Sequence, residues 1–426
     1  MSYLNTKGWI YHNKPILFLQ FYSLSNMKKH IGKVVIIILF VLVLLEILCS
    51  THFVGNKRIL YGQTSIPYFL CGILIALIPL FKVVPLAYSG RLSSNRMVQY
   101  VIRGVKLVFL IGIVYELIEF GKKIFAKVPI SIEQADMLPI IQVMCQRFLR
   151  GEKIYEPITE IWGGIQPIYL PAMWAPFVPL EYLEIDIRWG SVLGLILSIV
   201  LVSGVFWRLK KHTLWVLLIL PPLFFWSQGL WQEQTFLIRF AEEGVVVFYY
   251  AFLGFAMIRK NPYMIGIGIA LCVLSRYGLL FWVPFYLVFL WFFQSRKDAI
   301  IATGIALVLG LVLFLIPYGI EKFDIFVSLP NEYPDYARRL WDKHPDFFST
   351  TLGFAKYFSA ETVDLQHRLH LASIFLAPLL MFSAFWQLKK RNIWEGTMWG
   401  ICSLKFTLVF FYNLIILNFG HEIRYC

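Results

Sequence analysis

The sequence predicts an all-α fold, a polytopic transmembrane bundle of about eleven helices, on three observations. Hydrophobic residues make up 59% of the 426 residues and charged residues only 15%, with a mean hydropathy of +0.68. A soluble domain carries charges at about a quarter of its positions, so the excess apolar surface is expected to face lipid. Apolar runs of span length recur along the chain, and basic residues gather at alternate ends of these runs.

The net charge of +14 would suit a nucleic-acid-binding protein if the chain were soluble. Here the basic residues cluster at the ends of apolar runs, which is typical of membrane proteins, so we expect membrane lipids as partners and no nucleic acid. The six cysteines lie far apart, and no Cys/His spacing suggests zinc. We therefore expect no metal and no cofactor, although the sequence leaves a divalent metal open.

The apolar runs are candidate spans, because about 17 to 25 residues suffice for a helix to cross the bilayer. In chain order they are Val34–Cys49, Pro67–Tyr88, Tyr100–Phe120, Gly190–Trp207, Thr213–Trp231, Gly244–Ile258, Tyr263–Ser275, Tyr277–Phe293, Ile300–Tyr318, Leu369–Leu388 and Trp399–Asn418. No small-residue cleavage site follows the first run, so we expect it to be retained as a span.

The basic clusters at the span ends fall on one side of this layout. They are Lys28, Lys29, Lys33, Arg91, Arg96, Arg103, Lys106, Arg208, Lys210, Lys211, Arg259, Lys260, Arg296, Lys297, Lys389, Lys390 and Arg391. By the positive-inside rule this side is cytoplasmic, while the loop Gln232–Glu243 on the other side leans acidic. The pattern predicts a multi-pass protein of the bacterial inner (plasma) membrane with a cytoplasmic N-terminus.

One stretch, Tyr263–Phe293, allows two layouts. It is either a single tilted helix with Arg276 inside it, or a hairpin of two spans with Arg276 near the outer face. Basic pairs lie at both ends, at Arg259/Lys260 and Arg296/Lys297. Only a hairpin puts both pairs on the same side, so we predict two spans here.

The layout divides the chain into four regions. These are two N-terminal spans with a cytoplasmic loop (1–106), a transmembrane core with outer loop 121–189 (107–320), a second outer loop (321–368) and C-terminal spans (369–426). The segments Gly121–Trp189 and Ile320–Arg368 are too long to be simple connections, and function is expected to lie in them. The chain ends just past its last span, so we expect that further C-terminal spans are missing.

The first outer loop contains a predicted amphipathic helix. After Asp136, apolar residues recur at helical spacing, and Gly151 ends the pattern. We expect this helix to lie at the membrane surface, with Asp136 before its first turn, where the helix dipole favours a carboxylate. The alternative is that Asp136 is only a helix cap.

The following segment, Gln166–Tyr182, is apolar but contains four prolines: Pro167, Pro171, Pro176 and Pro179. Proline removes a backbone donor and breaks a regular helix. We therefore predict a surface-lying or re-entrant segment rather than a plain spanning helix.

These residues resemble the GT-C superfamily of membrane glycosyltransferases, and within it the mannosyltransferase-like group that uses polyprenyl-phosphate sugars. The matching residues of the first outer loop are Asp136, Gly151, Tyr155, Tyr169, Pro171 and Pro179. The stretch Glu242–Pro284, with Arg276, is similar to the later paired spans of that family, and the resemblance covers residues 107–320. The chain departs from the family in placing this loop after its third span, and in lacking a paired acid and a double proline.

The resemblance implies transfer of a sugar from a polyprenyl-phosphate donor to a glycan or lipid acceptor outside the cytoplasm. Such an inverting displacement needs a carboxylate to take the acceptor's proton and cationic groups on the departing phosphate. Asp136 is our candidate base, with Glu133 as the second choice. Arg276 is the first candidate for the phosphate, since a charge between two apolar runs is usually functional.

Other residues are candidates for the same substrate site, or for other roles. Further substrate-binding candidates are Tyr155, Tyr169, Arg239 and Arg424, and Arg338, Arg339 and Arg368 are also candidates for the phosphate. The alternative for Arg276 is a structural ion pair with Glu242 or Glu243. Glu46 and Lys405 lie inside apolar runs, where a buried pair or snorkelling groups are expected.

Two other functions are compatible with many spans. A periplasmic polysaccharide polymerase of the O-antigen type would show arginine motifs in two outer loops, whereas the first outer loop here has an acid before an amphipathic helix. A transporter would show internal repeats and polar groups at mid-span. We find no repeat in the sequence, so both stand as alternatives to glycosyl transfer.

Overall fold

The computed structural model describes helical elements and their connections over most of the chain. The described residues are 34, 35, 37–46, 49, 61–80, 96–132, 135–161, 164–167, 169–206, 242–318, 334, 335, 337, 338, 341, 342, 353–389 and 396–414. Within these ranges every regular element is a helix, apart from an isolated antiparallel bridge between Ile158 and Ile165. The predicted all-α class is confirmed.

The helices are numbered α1 to α13 in chain order. They are α1 (Ile37–Glu46), α2 (Tyr61–Leu77), α3 (Arg96–Lys127), α4 (Met137–Arg150), α5 (Pro171–Trp174), α6 (Val178–Tyr182), α7 (Trp189–Phe206), α8 (Glu243–Arg259), α9 (Pro262–Val273), α10 (Trp282–Phe293), α11 (Arg296–Tyr318), α12 (Val363–Lys389) and α13 (Gly396–Leu414). Short 3-10 turns occupy Ile78–Leu80, Ala175–Phe177, Tyr277–Leu279, Ala355–Tyr357 and Ala360–Thr362.

Two helical stretches, Arg296–Leu315 and Ala360–Gln387, are long and apolar enough to cross a membrane by length and composition. Other apolar helices are shorter, with 10–17 residues each. The predicted number of eleven spans is therefore not confirmed. The predicted fifth span, Thr213–Trp231, lies outside the described residues, and the other predicted runs coincide at least in part with helices.

The chain reverses direction between α9 and α10. A Cβ added to Gly266, in the first half of α9, would lie 2.7 Å from the carbonyl oxygen of Ala302 near the start of α11. Since α10 leads directly into α11, the start of α9 and the end of α10 lie at the same end of the bundle. The turn between them, which contains Arg276, lies at the opposite end, so a hairpin is found here and not one continuous helix.

Helix α13 runs antiparallel to α10 and fixes the two ends of the bundle. Its first half contacts α10, since Phe289 stacks on Trp399 and the Trp282 indole at the start of α10 donates a hydrogen bond of 3.0 Å to the Ser403 hydroxyl. Its second half reaches the turn, where Gly278 lies against the ring of Phe411. The Arg276 end of the bundle therefore also holds the end of α13, whereas the basic pairs Arg259/Lys260 and Arg296/Lys297 lie at the other end, called here the basic end.

Helices α7 and α8 cross with their backbones in direct contact. A Cβ added to Gly244 would collide with the Ser191 carbonyl group, and one added to Gly194 would collide with the carbonyl of Gly244. Only residues without a side chain fit such a crossing. This contact sets the position of the first turn of α8, which follows Glu242.

An ion pair links α1 to α13. The Lys405 ammonium donates a hydrogen bond of 2.6 Å to the Glu46 carboxylate. A pairing of Glu46 with Lys405 is expected because both charges lie inside apolar runs, and it is confirmed.

Candidate functional site

Helix α4 forms as the sequence predicts. Gly151 ends it in the left-handed conformation, with φ of 69°, which a glycine adopts without strain. Leu138, Ile141 and Met144 on one face are buried in the main core, while Phe148 is partly exposed. The amphipathic helix is confirmed, and its location at a membrane surface stays a prediction.

Asp136 occupies the N-cap position of α4 but does not act as a cap. Its backbone has helical angles, φ −87° and ψ −19°, and its side chain makes no capping hydrogen bond within the described structure. The carboxyl group is partly buried, and burial raises its pKa above the ordinary value. The capping alternative is therefore not supported by the geometry, which leaves the carboxylate available for another role.

The loop after α4 is fixed by hydrogen bonds from α4 itself. The Arg147 guanidinium donates to the carbonyl oxygens of Ile154, Glu156 and Pro157. Residues 151–157 therefore fold around the Arg147 guanidinium, so the end of α4 and the following turn form one rigid unit.

Tyr155 is buried behind the site rather than exposed in it. Its hydroxyl donates a hydrogen bond of 3.0 Å to the carbonyl oxygen of Tyr169 and accepts one of 2.9 Å from the Trp174 indole. The Gln166 amide also donates to the carbonyl oxygen of Tyr155, at 2.7 Å. Tyr155 thus holds the backbone that carries Tyr169.

The proline-rich segment is broken into the short helices α5 and α6 with a 3-10 turn between them, as predicted. It packs into the bundle interior. The Ala172 amide donates to the carbonyl of Leu274 at 3.1 Å, and the Tyr249 hydroxyl donates to the carbonyl of Ala172 at 3.0 Å. These contacts anchor the segment to α8 and to the end of α9, beside Arg276.

Arg276 is paired with two consecutive glutamates. Its Nη2 atom lies 3.4 Å from a carboxylate oxygen of Glu242 and also contacts Glu243. The Glu242 side chain is fully buried, whereas those of Arg276 and Glu243 are each 24% exposed. The predicted alternative, an ion pair of Arg276 with Glu242 or Glu243, is confirmed as a contact. Any ligand that binds the guanidinium must therefore share the guanidinium with these two acids.

Electrostatic interactions join this pair to Asp136 and Tyr169 of the segment 121–189. Asp136 interacts with Glu242, and Tyr169 interacts with both acids of the pair, with Asp136 and with Arg276. Burial raises the pKa of Glu242, and the positive charge of Arg276 opposes this shift. Burial likewise raises the pKa of Tyr169. Carboxyl groups from two distant parts of the chain thus influence each other electrostatically at the Arg276 end of the bundle.

Two more tyrosines complete the group, which is called here the Arg276 cluster. Tyr250 of α8 interacts with Arg276 and Glu243, and Tyr412 of α13 interacts with Arg276. The members of the cluster are Asp136, Tyr169, Glu242, Glu243, Tyr250, Arg276 and Tyr412.

The cluster contains polar atoms that are both buried and without a hydrogen-bond partner among the described residues. They are Oε2 of Glu242, the hydroxyl of Tyr250 and Nε of Arg276. A buried polar atom left unsatisfied costs about 1–3 kcal/mol. Such groups often mark a functional site.

The structure thus brings together Asp136, Tyr169 and Arg276 from the predicted site and puts Tyr155 behind them. Glu133, Arg239, Arg339 and Arg424 lie outside the described residues. Arg338 is paired with Asp335 and Asp364, and Arg368 is exposed on α12.

Sequence reasoning did not select Tyr250 and Tyr412. A local signal exists for Tyr250, because it lies seven residues after Glu243 on the same face of α8. Tyr412 had no such signal, since its place depends on how α13 packs against the rest of the bundle.

A guanidinium paired with two carboxyl groups, with a third carboxyl group interacting electrostatically with Glu242, can bind a polar ligand, accept a proton and stabilise developing negative charge. In the part of the chain that the structure describes, no group of three or more His, Cys, Asp or Glu residues is arranged to hold a metal ion. No protein-family model, curated protein or solved structure matches this chain.

Proposed function

We propose that this protein is an integral membrane glycosyltransferase that transfers a sugar from a polyprenyl-phosphate donor to a glycan or lipid acceptor on the extracytoplasmic side. The observation that carries the proposal is that Asp136 and Arg276, from distant parts of the chain, both interact electrostatically with Tyr169. These residues come from the two segments of the sequence that resemble the GT-C superfamily.

The proposed reaction is a single displacement at the anomeric carbon. The acceptor oxygen forms the new bond, the bond from that carbon to the donor phosphate oxygen breaks, and the lipid phosphate leaves with the electron pair. Asp136 takes the acceptor's proton as the bond forms. A carboxyl group whose pKa is raised by burial is a stronger base than one in water.

Arg276 is proposed to bind the donor phosphate, with Arg239 and Arg424 as further candidates. A guanidinium suits this role because its planar donors match phosphate oxygens bidentately. Glu243 contacts Arg276, so phosphate binding has to weaken that contact.

The proposed membrane layout has eleven spans, a cytoplasmic N-terminus and the Arg276 cluster near the outer face of the bacterial inner membrane. Its support is the position of the basic pairs Arg259/Lys260 and Arg296/Lys297 at the basic end, opposite the cluster. Basic residues favour the cytoplasmic side. This arrangement would put the acids and the phosphate-binding arginine outside, where a lipid-linked donor is available and a nucleotide sugar is not.

The experiment is radiolabelled sugar transfer from polyprenyl-phosphate sugars in membranes carrying the protein. We expect transfer by the wild type, and a loss of about a hundredfold to ten-thousandfold in rate in Asp136→Asn. The exposed loop variant Glu152→Gln, at equal expression, is the control and should match the wild type. Wild-type turnover in Asp136→Asn would remove Asp136 as the base and pass the role to Glu133.

A transporter is the second candidate, because one observation favours it. Helices α9 and α10 have 12 residues each, and the charged cluster lies at their junction. At about 1.5 Å per residue, each is shorter than the hydrocarbon core of about 30 Å, and short interrupted helices line the sites of many transporters. Sugar uptake into sealed vesicles without covalent transfer would favour this function over glycosyl transfer.

A further inference from the structure

The three unpartnered atoms of the Arg276 cluster differ in their hydrogen-bonding character. Oε2 of ionised Glu242 only accepts, Nε of Arg276 only donates, and the hydroxyl of Tyr250 does both. A ligand that satisfies them must therefore carry both donors and acceptors. Hydroxyl groups have this property, since each donates one hydrogen bond and accepts others.

The charges around the three buried atoms disfavour a free anion or cation at their depth in the bundle, whereas the donor phosphate is proposed to meet the exposed part of the Arg276 guanidinium. A small anion would be attracted by Arg276 but repelled by the neighbouring carboxylates of Glu242 and Glu243. A small cation would be attracted by these two carboxylates but repelled by Arg276. A neutral ligand with several hydroxyl groups avoids both repulsions, because it can donate to the acid and accept from the guanidinium.

The surroundings of these atoms are aromatic. Tyr250 belongs to the cluster together with Tyr169 and Tyr412, which come from the first outer loop and from α13. Ligand sites typically combine apolar and aromatic walls with a few placed polar groups. A sugar ring, with apolar C–H faces and a polar edge, is suited to such a site.

We propose that Glu242, Tyr250 and Arg276 form the subsite that binds the hydroxyl groups of a neutral sugar ring, a hexose or a pentose. The proposal rests on the proposed function, because the ring is taken to be the sugar of the lipid-linked donor. The buried Nε of Arg276 then faces the ring, while the exposed part of the guanidinium faces the phosphate. The ring therefore lies deeper in the bundle than the phosphate.

The test is equilibrium binding to the full chain in lipid nanodiscs. The probes are undecaprenyl phosphate and undecaprenyl phosphate carrying mannose, glucose, galactose or arabinose. We expect at least one sugar-bearing lipid to bind about tenfold or more tightly than the bare lipid phosphate, as a few hydrogen bonds would provide. Tyr250→Phe and Glu242→Gln should each lower this ratio of affinities about tenfold.

Tyr249→Phe is the matched control. It removes the hydroxyl of the adjacent tyrosine, which is already satisfied by the carbonyl of Ala172, so the ratio of affinities should stay at the wild-type value. If Glu242→Gln fails to fold, Tyr250→Phe alone decides the outcome.

The possible outcomes separate the two proposals. If the sugar-bearing lipids bind no better than bare undecaprenyl phosphate, or if Tyr250→Phe leaves the ratio unchanged, the subsite is wrong while the lipid-phosphate site stands. If none of these lipids binds, the proposed function and the subsite are both overturned.

Discussion

At the residue scale, the surroundings of Asp136 distinguish it from a simple helix cap. It stands where a carboxylate would normally cap a helix, yet its backbone is already helical and its side chain makes no capping bond to any described group. It instead interacts with Glu242, more than a hundred residues later in the chain. The sequence pattern is enough to choose Asp136 as a candidate, but its interaction with Glu242 is visible only in the fold.

The pH dependence of transfer should report the environment of Asp136. Only the deprotonated carboxylate can accept a proton, so activity falls as the pH drops through its pKa. Since burial raises this pKa, the acid limb of kcat/KM should lie above the ordinary value of about 4. A pH profile of kcat/KM checks this, and a limb at or below the ordinary value would contradict it.

Arg276→Lys should weaken donor use far more than a conservative change elsewhere. A lysine keeps the charge but cannot make bidentate contacts, so we expect the KM for the donor to rise about tenfold or more. Arg338→Lys, at an arginine paired with Asp335 and Asp364 away from the cluster, is the control. If Arg276→Ala left donor affinity unchanged, Arg239 and Arg424 would become the phosphate candidates.

At the element scale, local pattern predicted more than long-range packing did. The bounds of α4 and the broken proline segment followed from apolar spacing, Gly151 and four prolines, because these features act within a turn or two. The anchoring of Ala172 to Leu274 and Tyr249 could not be predicted. Such contacts depend on the packing of helices far apart in the sequence.

The crossing of α7 and α8 gives a prediction about stability. Gly244→Ala should lower the free energy of unfolding by more than about 2 kcal/mol, because the added methyl group meets backbone atoms that cannot rotate away. Thermal unfolding in detergent measures this. Gly254→Ala in the same helix is the control, since no described atom lies within 4 Å of its added Cβ.

Gly254→Ala should slightly raise the free energy of unfolding, since alanine stabilises a helix interior by about 1 kcal/mol relative to glycine. Equal melting temperatures for Gly244→Ala and Gly254→Ala would contradict the close crossing.

At the scale of the whole molecule, the two ends of the bundle differ in charge and chemistry. The basic pairs Arg259/Lys260 and Arg296/Lys297 lie at one end and the Arg276 cluster at the other. The sequence predicted this separation from charge alternation alone. It did not predict that the cluster would combine three acids with one arginine, since their approach depends on the fold of the first outer loop.

Membrane orientation can be tested with single cysteines in a background without the native ones. A cysteine at Lys389 should react with an impermeant probe only from the cytoplasmic side, and one at Glu361 only from outside, because the two lie at opposite ends of one helical stretch. Spheroplasts and inside-out vesicles give the two measurements. Reaction of the Lys389 site only from outside would overturn the proposed layout.

The close contact of Gly194, Gly244 and Ser191 also limits how the protein can move. Two helices whose backbones touch slide or separate only with large loss of packing, so α7 and α8 should behave as a single rigid body. Glu242 and Glu243, at the start of α8, then keep a fixed position relative to α7. If the site takes the lipid-linked donor proposed above, the lipid chain has to enter between another pair of helices, because the contact between α7 and α8 stays closed.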